Sequence, residues 1–91
     1  MQRDANLVRK LLAYLQGIEA SKQPEEQVLV QPHYDEVAVP NGFRIDGYTG
    51  QQIDDQLRLM LRNGLIVGHE VGIGIYLDYL TKKGHSVLNN G

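Results

Sequence analysis

The stretch TGQQIDDQLRLMLRNGLIVGHEVGIGIYLDYL, residues 49–80, decides how the rest of the chain is read. Ile53, Leu57, Met60 and Leu61 follow one another at spacings of four, three and one. That puts them on one stripe of a helix from about Gly50 to Asn63, with Thr49 as its N-cap. Gly64 stands where a left-handed residue ends a helix, a conformation glycine takes without a Cβ penalty. Leu65–Val71 and Ile75–Leu80 then read as paired strands. Between them Gly72-Ile73-Gly74 forms the tip, where two glycines in three residues allow the positive φ angles of a tight hairpin. The segment predicts a helix feeding directly into a hairpin.

Outward from this unit the signals weaken. Phe43 and Ile45 alternate with Arg44 and Asp46, as in a short strand with one buried face. Gln27–Gln31 and Glu36–Val39 are both β-prone around a turn at Pro32-His33-Tyr34-Asp35. They form either a hairpin or a loop that drapes apolar side chains over the core. At the start, Leu7, Leu11, Leu15 and Ile18, widened by Val8 and Leu12, predict a helix from Asp4 to about Gly17 with Asp4 as its N-cap. At the end, Thr81 caps a short helix through Val87 and Leu88 that frays into Asn89-Asn90-Gly91. The fold class expected is α+β: helix, strand region, helix, hairpin, short C-terminal helix.

Length and composition set the frame. With 91 residues, 42% of them hydrophobic, residues 1–91 make one domain, since two independent cores would not fit. Nine basic and eleven acidic residues leave a formal net charge of −2, which excludes a strongly basic nucleic-acid coat and a highly charged disordered tail. Cysteine is absent, and with it disulfides, thiolate metal sites and cysteine nucleophiles. No apolar run is long enough to span a membrane, and Met1-Gln2-Arg3-Asp4 leads straight into a mixed helix pattern without a signal sequence. A cytoplasmic location is expected.

Helix, Asn63-Gly64-Leu65-Ile66 turn and β-hairpin together are the local grammar of winged-helix domains, with the hairpin as wing. Three further stretches are similar to a family of small phage and prophage proteins of unknown function. Arg3-Asp4 followed by Leu7-Val8-Arg9-Lys10-Leu11-Leu12 resembles that family's opening. Gly47-Tyr48, Ile53 and the run from Leu57 to Ile66 resemble its centre. Leu80-Thr81-Lys82-Lys83-Gly84-His85 with Leu88 resembles its closing motif. The resemblance implies a winged-helix-like fold and a phage or prophage origin in a bacterial host cell, and it carries no activity. Residues 19 to 42 match poorly and read as a variable acidic insertion.

A winged helix ordinarily lays its recognition helix in the major groove, and the helix from Gly50 to Asn63 is the candidate. Here the outward polar residues of that helix, Gln51, Gln52, Arg58 and Arg62, are the candidate DNA-binding residues. Asp54 and Asp55 oppose phosphate there, and the hairpin tip carries no Lys or Arg. By segment, residues 1–22 hold four basic and two acidic groups, 23–50 one and five, and 51–91 four and four. The half that would read DNA is neutral, whereas nucleic-acid affinity depends on Lys and Arg neutralising phosphates. Outward Leu59, Ile73 at the tip and Tyr34 instead suggest a protein interface, with either an unknown partner or a second copy.

Catalytic and metal chemistry find little to stand on. His33, His69 and His85 show no metal-ligand spacing. Gly72-Ile73-Gly74 lacks the Lys and following helix of a phosphate loop. The pairs Glu25-Glu26, Asp35-Glu36 and Asp54-Asp55 read as solvated charges. No enzyme and no cofactor are expected. The leading expectation is a non-enzymatic module for protein–protein interaction; the alternative is a small DNA-binding transcription regulator.

Overall fold

Asp4 opens the first helix as the sequence predicts, its carboxylate accepting the Leu7 N–H at 3.0 Å. The computed structural model describes residues 4–34 and 42–90. Within them lie α1 (Ala5–Ser21), β1 (Val28–Val30), α2 (Gly50–Arg62), β2 (Ile66–Val71), β3 (Gly74–Leu80) and α3 (Lys82–Asn90). The three strands make one antiparallel sheet in the order β1-β3-β2. The described residues thus form a small α+β domain of three helices and a three-stranded sheet.

One face of that sheet carries the core. Leu7, Val8, Leu11, Leu12 and Leu15 of α1 meet Ile53, Leu57 and Met60 of α2 over Val30, Ile66, Ile75, Leu77 and Leu80. Each such side chain contributes about 1.5–3 kcal/mol when fully buried. The helical spacing that predicted both stripes therefore maps onto the buried set.

The first helix outruns its expected end, passing through Gly17 to Ser21. A glycine inside a helix costs about 1 kcal/mol relative to alanine, and tertiary contacts outweigh it here. Ile18 packs against the core, and Glu19 reaches the sheet, where its Oε2 accepts the Leu80 N–H at 2.7 Å. β1 stops at Val28, opposite Leu77, so the Leu80 N–H lies beyond its reach. Glu19 supplies the acceptor in its place, and its other oxygen pairs with His85 Nε2 at 3.2 Å.

Residues 27–45 depart from expectation in one way. The β-prone run at Gln27–Gln31 holds the strand Val28–Val30, which pairs with β3; the hairpin considered above turns on Glu36–Val39, which fall outside the described residues. Phe43 to Ile45 is not a strand. Phe43 makes a single bridge, donating its N–H to the Gln31 carbonyl and accepting from the His33 N–H. What holds this stretch is aromatic packing on α1. Tyr14 and Phe43 stack at 4.2 Å, and Asn6 donates to the Tyr48 hydroxyl at 2.9 Å.

The hairpin tip corrects a third expectation. Gly64 has the left-handed φ of 75° predicted for a helix end, but neither Gly72 nor Gly74 has a positive φ. Gly74 is needed for a different reason: a Cβ there would fall on the carbonyl oxygen of Val30, where β1 crosses close to the tip. The sequence pattern was sound, whereas its cause is close backbone approach.

Thr81 caps α3, as its position predicts, and does more besides. Its hydroxyl oxygen accepts the Gly84 N–H at 3.0 Å, while its proton is offered to the Gly64 carbonyl at 2.6 Å and the Leu65 carbonyl at 3.0 Å. One hydroxyl thus links the start of α3 to the turn that ends α2. Thr81→Ala should cost about 1–2 kcal/mol, at the upper end for loss of a cap. Chemical denaturation would read this directly, and a loss well under that range would show the cap to be dispensable.

Candidate interaction surface on the second helix and the hairpin

Thr49 and Gln52 close a reciprocal cap at the start of α2. Thr49 Oγ1 accepts the Gln52 N–H at 3.1 Å, and Gln52 Oε1 accepts the Thr49 N–H at 2.8 Å. This satisfies two of the donors that every helix start leaves over. One turn on, Gln51 Nε2 donates to Asp55 Oδ1 at 2.9 Å. Both glutamines singled out as base readers are therefore engaged within the helix.

The two arginines are engaged across elements. Arg58 donates from Nε to Asp54 Oδ2 at 2.8 Å, from Nη1 to Glu70 Oε1 at 3.2 Å and from Nη2 to the Val71 carbonyl at 2.7 Å. Arg62 grips the same Glu70 with Nε and Nη2, at 3.2 and 3.0 Å. A planar guanidinium suits such a fork, which fixes direction as well as charge. Glu70 can join this network because its cross-strand partner is buried Ile75. Opposed residues share a face, so its carboxylate points to the helix side of the sheet.

Electrostatics follow the geometry. Hydrogen bonds from Arg62, and next from Arg58, hold the Glu70 carboxyl below its ordinary value. The bond to Asp54 raises Arg58 above its own. Tyr34 lies beside this half of α2, and its hydroxyl is raised by burial first and by the Asp54 charge second.

Asp54 overturns the reading of a solvated carboxylate pair. It is only 7% exposed, and its Oδ1 has no hydrogen-bond partner among the described residues. The i, i+4 spacing of Asp54 and Arg58 was a legible signal for the pair. Burial was not legible, because it depends on how α2 is turned against the sheet. Leu59, expected to face outward, is half-buried. Ile73 at the tip is 54% exposed, as an interface residue there requires, and Tyr34 is half-buried.

The face of the sheet turned away from the helices is the other exposed feature. Val67 pairs with Tyr79, and His69 and Leu29 both flank Tyr76, so these five side chains share that face. His69 stacks on Tyr76 at 5.2 Å, and Tyr79 is 52% exposed. The sequence pattern singled out only Tyr34 as an interface tyrosine and did not reveal this grouping.

Among the described residues, no group of three or more His, Asp or Glu side chains could hold a metal ion, and no helix is long and apolar enough to cross a membrane. Comparison of the chain with protein-family models, curated proteins and solved structures yields no match in any of the three.

Two measurements check the network. Arg58→Ala leaves the Asp54 carboxylate buried without its cation and should cost roughly 2–4 kcal/mol. Arg62→Ala, at a side chain 65% exposed, should cost under about 1 kcal/mol. Equal losses would contradict the central place given to Arg58. As for pH, the folded Glu70 carboxyl holds its proton less tightly than the unfolded one. Its contribution is complete above the ordinary glutamate value and is lost as pH falls through the lower folded value. Glu70→Gln should therefore flatten the acid limb of melting temperature against pH, and a limb of unchanged slope would rule that out.

Proposed function

We propose that this chain is a non-enzymatic protein-binding module with a winged-helix-like architecture and a phage or prophage origin, working in the bacterial cytoplasm. The strand order β1-β3-β2, with α2 running into the hairpin, supports the architecture. Among the described residues no helix lies between β1 and α2, in the place where a helix-turn-helix would keep its first helix. The sequence motifs at both ends and the centre support the origin.

The observation that carries the functional reading is the state of α2. Each of Gln51, Gln52, Arg58 and Arg62 is hydrogen-bonded inside the chain. Around them Asp54, Asp55 and Glu70 outnumber the two arginines. A DNA reader needs these side chains free for phosphate and base edges. A protein partner tolerates a neutralised surface and gains from exposed apolar groups such as Ile73 and Tyr79.

The alternative is a small DNA-binding transcription regulator. It is favoured by Arg62, whose largely exposed side chain could exchange Glu70 for a phosphate. Fluorescence anisotropy with a mixed-sequence duplex at low and moderate salt separates the two. The protein-binding reading expects no binding even at low salt, where electrostatic attachment is strongest. Binding that weakens with salt and disappears in Arg58→Ala/Arg62→Ala would replace it with the DNA reading.

A further inference from the structure

β2 is an edge strand, and its free side is open among the described residues. Thr81 donates its N–H to the Leu65 carbonyl, which fixes the alternation along the strand. Val67, His69 and Val71 turn both backbone groups toward β3, in phase with the Leu65 carbonyl. The N–H and C=O groups of Ile66, Gly68 and Glu70 therefore point outward. The register shift between Val67 and Gly68 places its extra residue, Asp78, on β3. The outer edge of β2 thus keeps its regular spacing.

Natural edges are usually blunted by proline, lysine, a bulge or an inward charge. β2 has no proline or lysine, and its inward charge, Glu70, is already neutralised by Arg58 and Arg62. A groove of about 450 Å³ runs along this edge, with Arg62, Gly68 and Glu70 among its lining residues.

We propose that β2 pairs antiparallel with β2 of a second copy of this chain, about a two-fold axis at Gly68, giving a continuous six-stranded sheet. The outward backbone groups allow a register in which Gly68 faces the partner's Gly68 and Ile66 faces the partner's Glu70. Arg62 and Glu70 line the same groove over this edge, so the two-fold brings two arginines and two glutamates together with alternating sign. The patch is its own electrostatic complement, which a closed two-fold interface requires. Glycine at the axis leaves room for the two guanidinium groups. On the opposite face, Val67 comes beside the partner's His69, which extends the stripe of Tyr76, His69, Val67 and Tyr79 across the join.

This pairing rests on the reading of the chain as a protein-binding module and names its partner. Sedimentation equilibrium of the full chain at high micromolar concentration should show a dimer. Val67→Lys/His69→Lys crowds four ammonium groups around the axis and should weaken it by about tenfold or more, with an unchanged far-ultraviolet circular dichroism spectrum.

The register has its own test. Val67 and the partner's His69 form a non-hydrogen-bonded pair, with Cα atoms about 4.5 Å apart, within the span of a disulfide. Parallel Cβ vectors keep the two from bridging within one strand. The variant Val67→Cys/His69→Cys should therefore oxidise to a covalent dimer. A monomer at these concentrations would overturn the proposal and leave the groove to a foreign strand. A dimer that fails to cross-link, or is insensitive to the lysines, would overturn it by placing the interface elsewhere. Neither failure bears on the anisotropy result, which tests the underlying reading separately.

Discussion

The guanidinium of Arg58 makes α2 and the hairpin a single body. Its three donors meet a carboxylate on its own helix, a carboxylate on β2 and a backbone carbonyl at the tip of the hairpin. A charge held this way fixes both the rotation of α2 and the distance between helix and strand. The burial of Asp54 follows from that rotation, as does the inward aim of Glu70. Hydrophobic packing brings the same elements together but sets orientation less sharply, because apolar contact has no direction.

The same network determines what the surface can offer. Neutralising Glu70 removes the charge that would otherwise guard the edge of β2. Engaging Arg58 and Arg62 takes positive charge away from the face a DNA reader would use. The lack of free cation on α2 and the openness of the β2 edge thus have one cause. With its helices on one side, the sheet leaves a second face on which His69, Tyr76 and Tyr79 gather, and pairing at the edge would lengthen that face without covering it.

Elsewhere, small polar contacts complete what the strands leave unfinished. β1 is only three residues long, and the central strand outlasts it. Glu19 takes over at Leu80, from the far end of α1. Thr81 does similar work at the turn between α2 and β2. Glu19 serves the Leu80 N–H and Thr81 the Gly84 N–H, both in a half-buried setting where an unmade hydrogen bond costs about 1–3 kcal/mol.

Local pattern by itself determined the two long helices, the helix–hairpin unit, the caps at Asp4, Thr49 and Thr81, and the left-handed Gly64. Each depends on residues within a few positions of one another. It also determined that charge on the candidate surface would be balanced. The tertiary structure alone decided that Asp54 is buried, that Glu70 meets two arginines and that Glu19 meets Leu80. It likewise gave β1 a strand far along the chain, and gave Gly74 the role of admitting Val30 rather than turning the hairpin. Those outcomes depend on which distant backbones approach, and sequence periodicity tells only which face of an element is apolar. Where that face lands, and which charges it carries along, is fixed by packing the elements together.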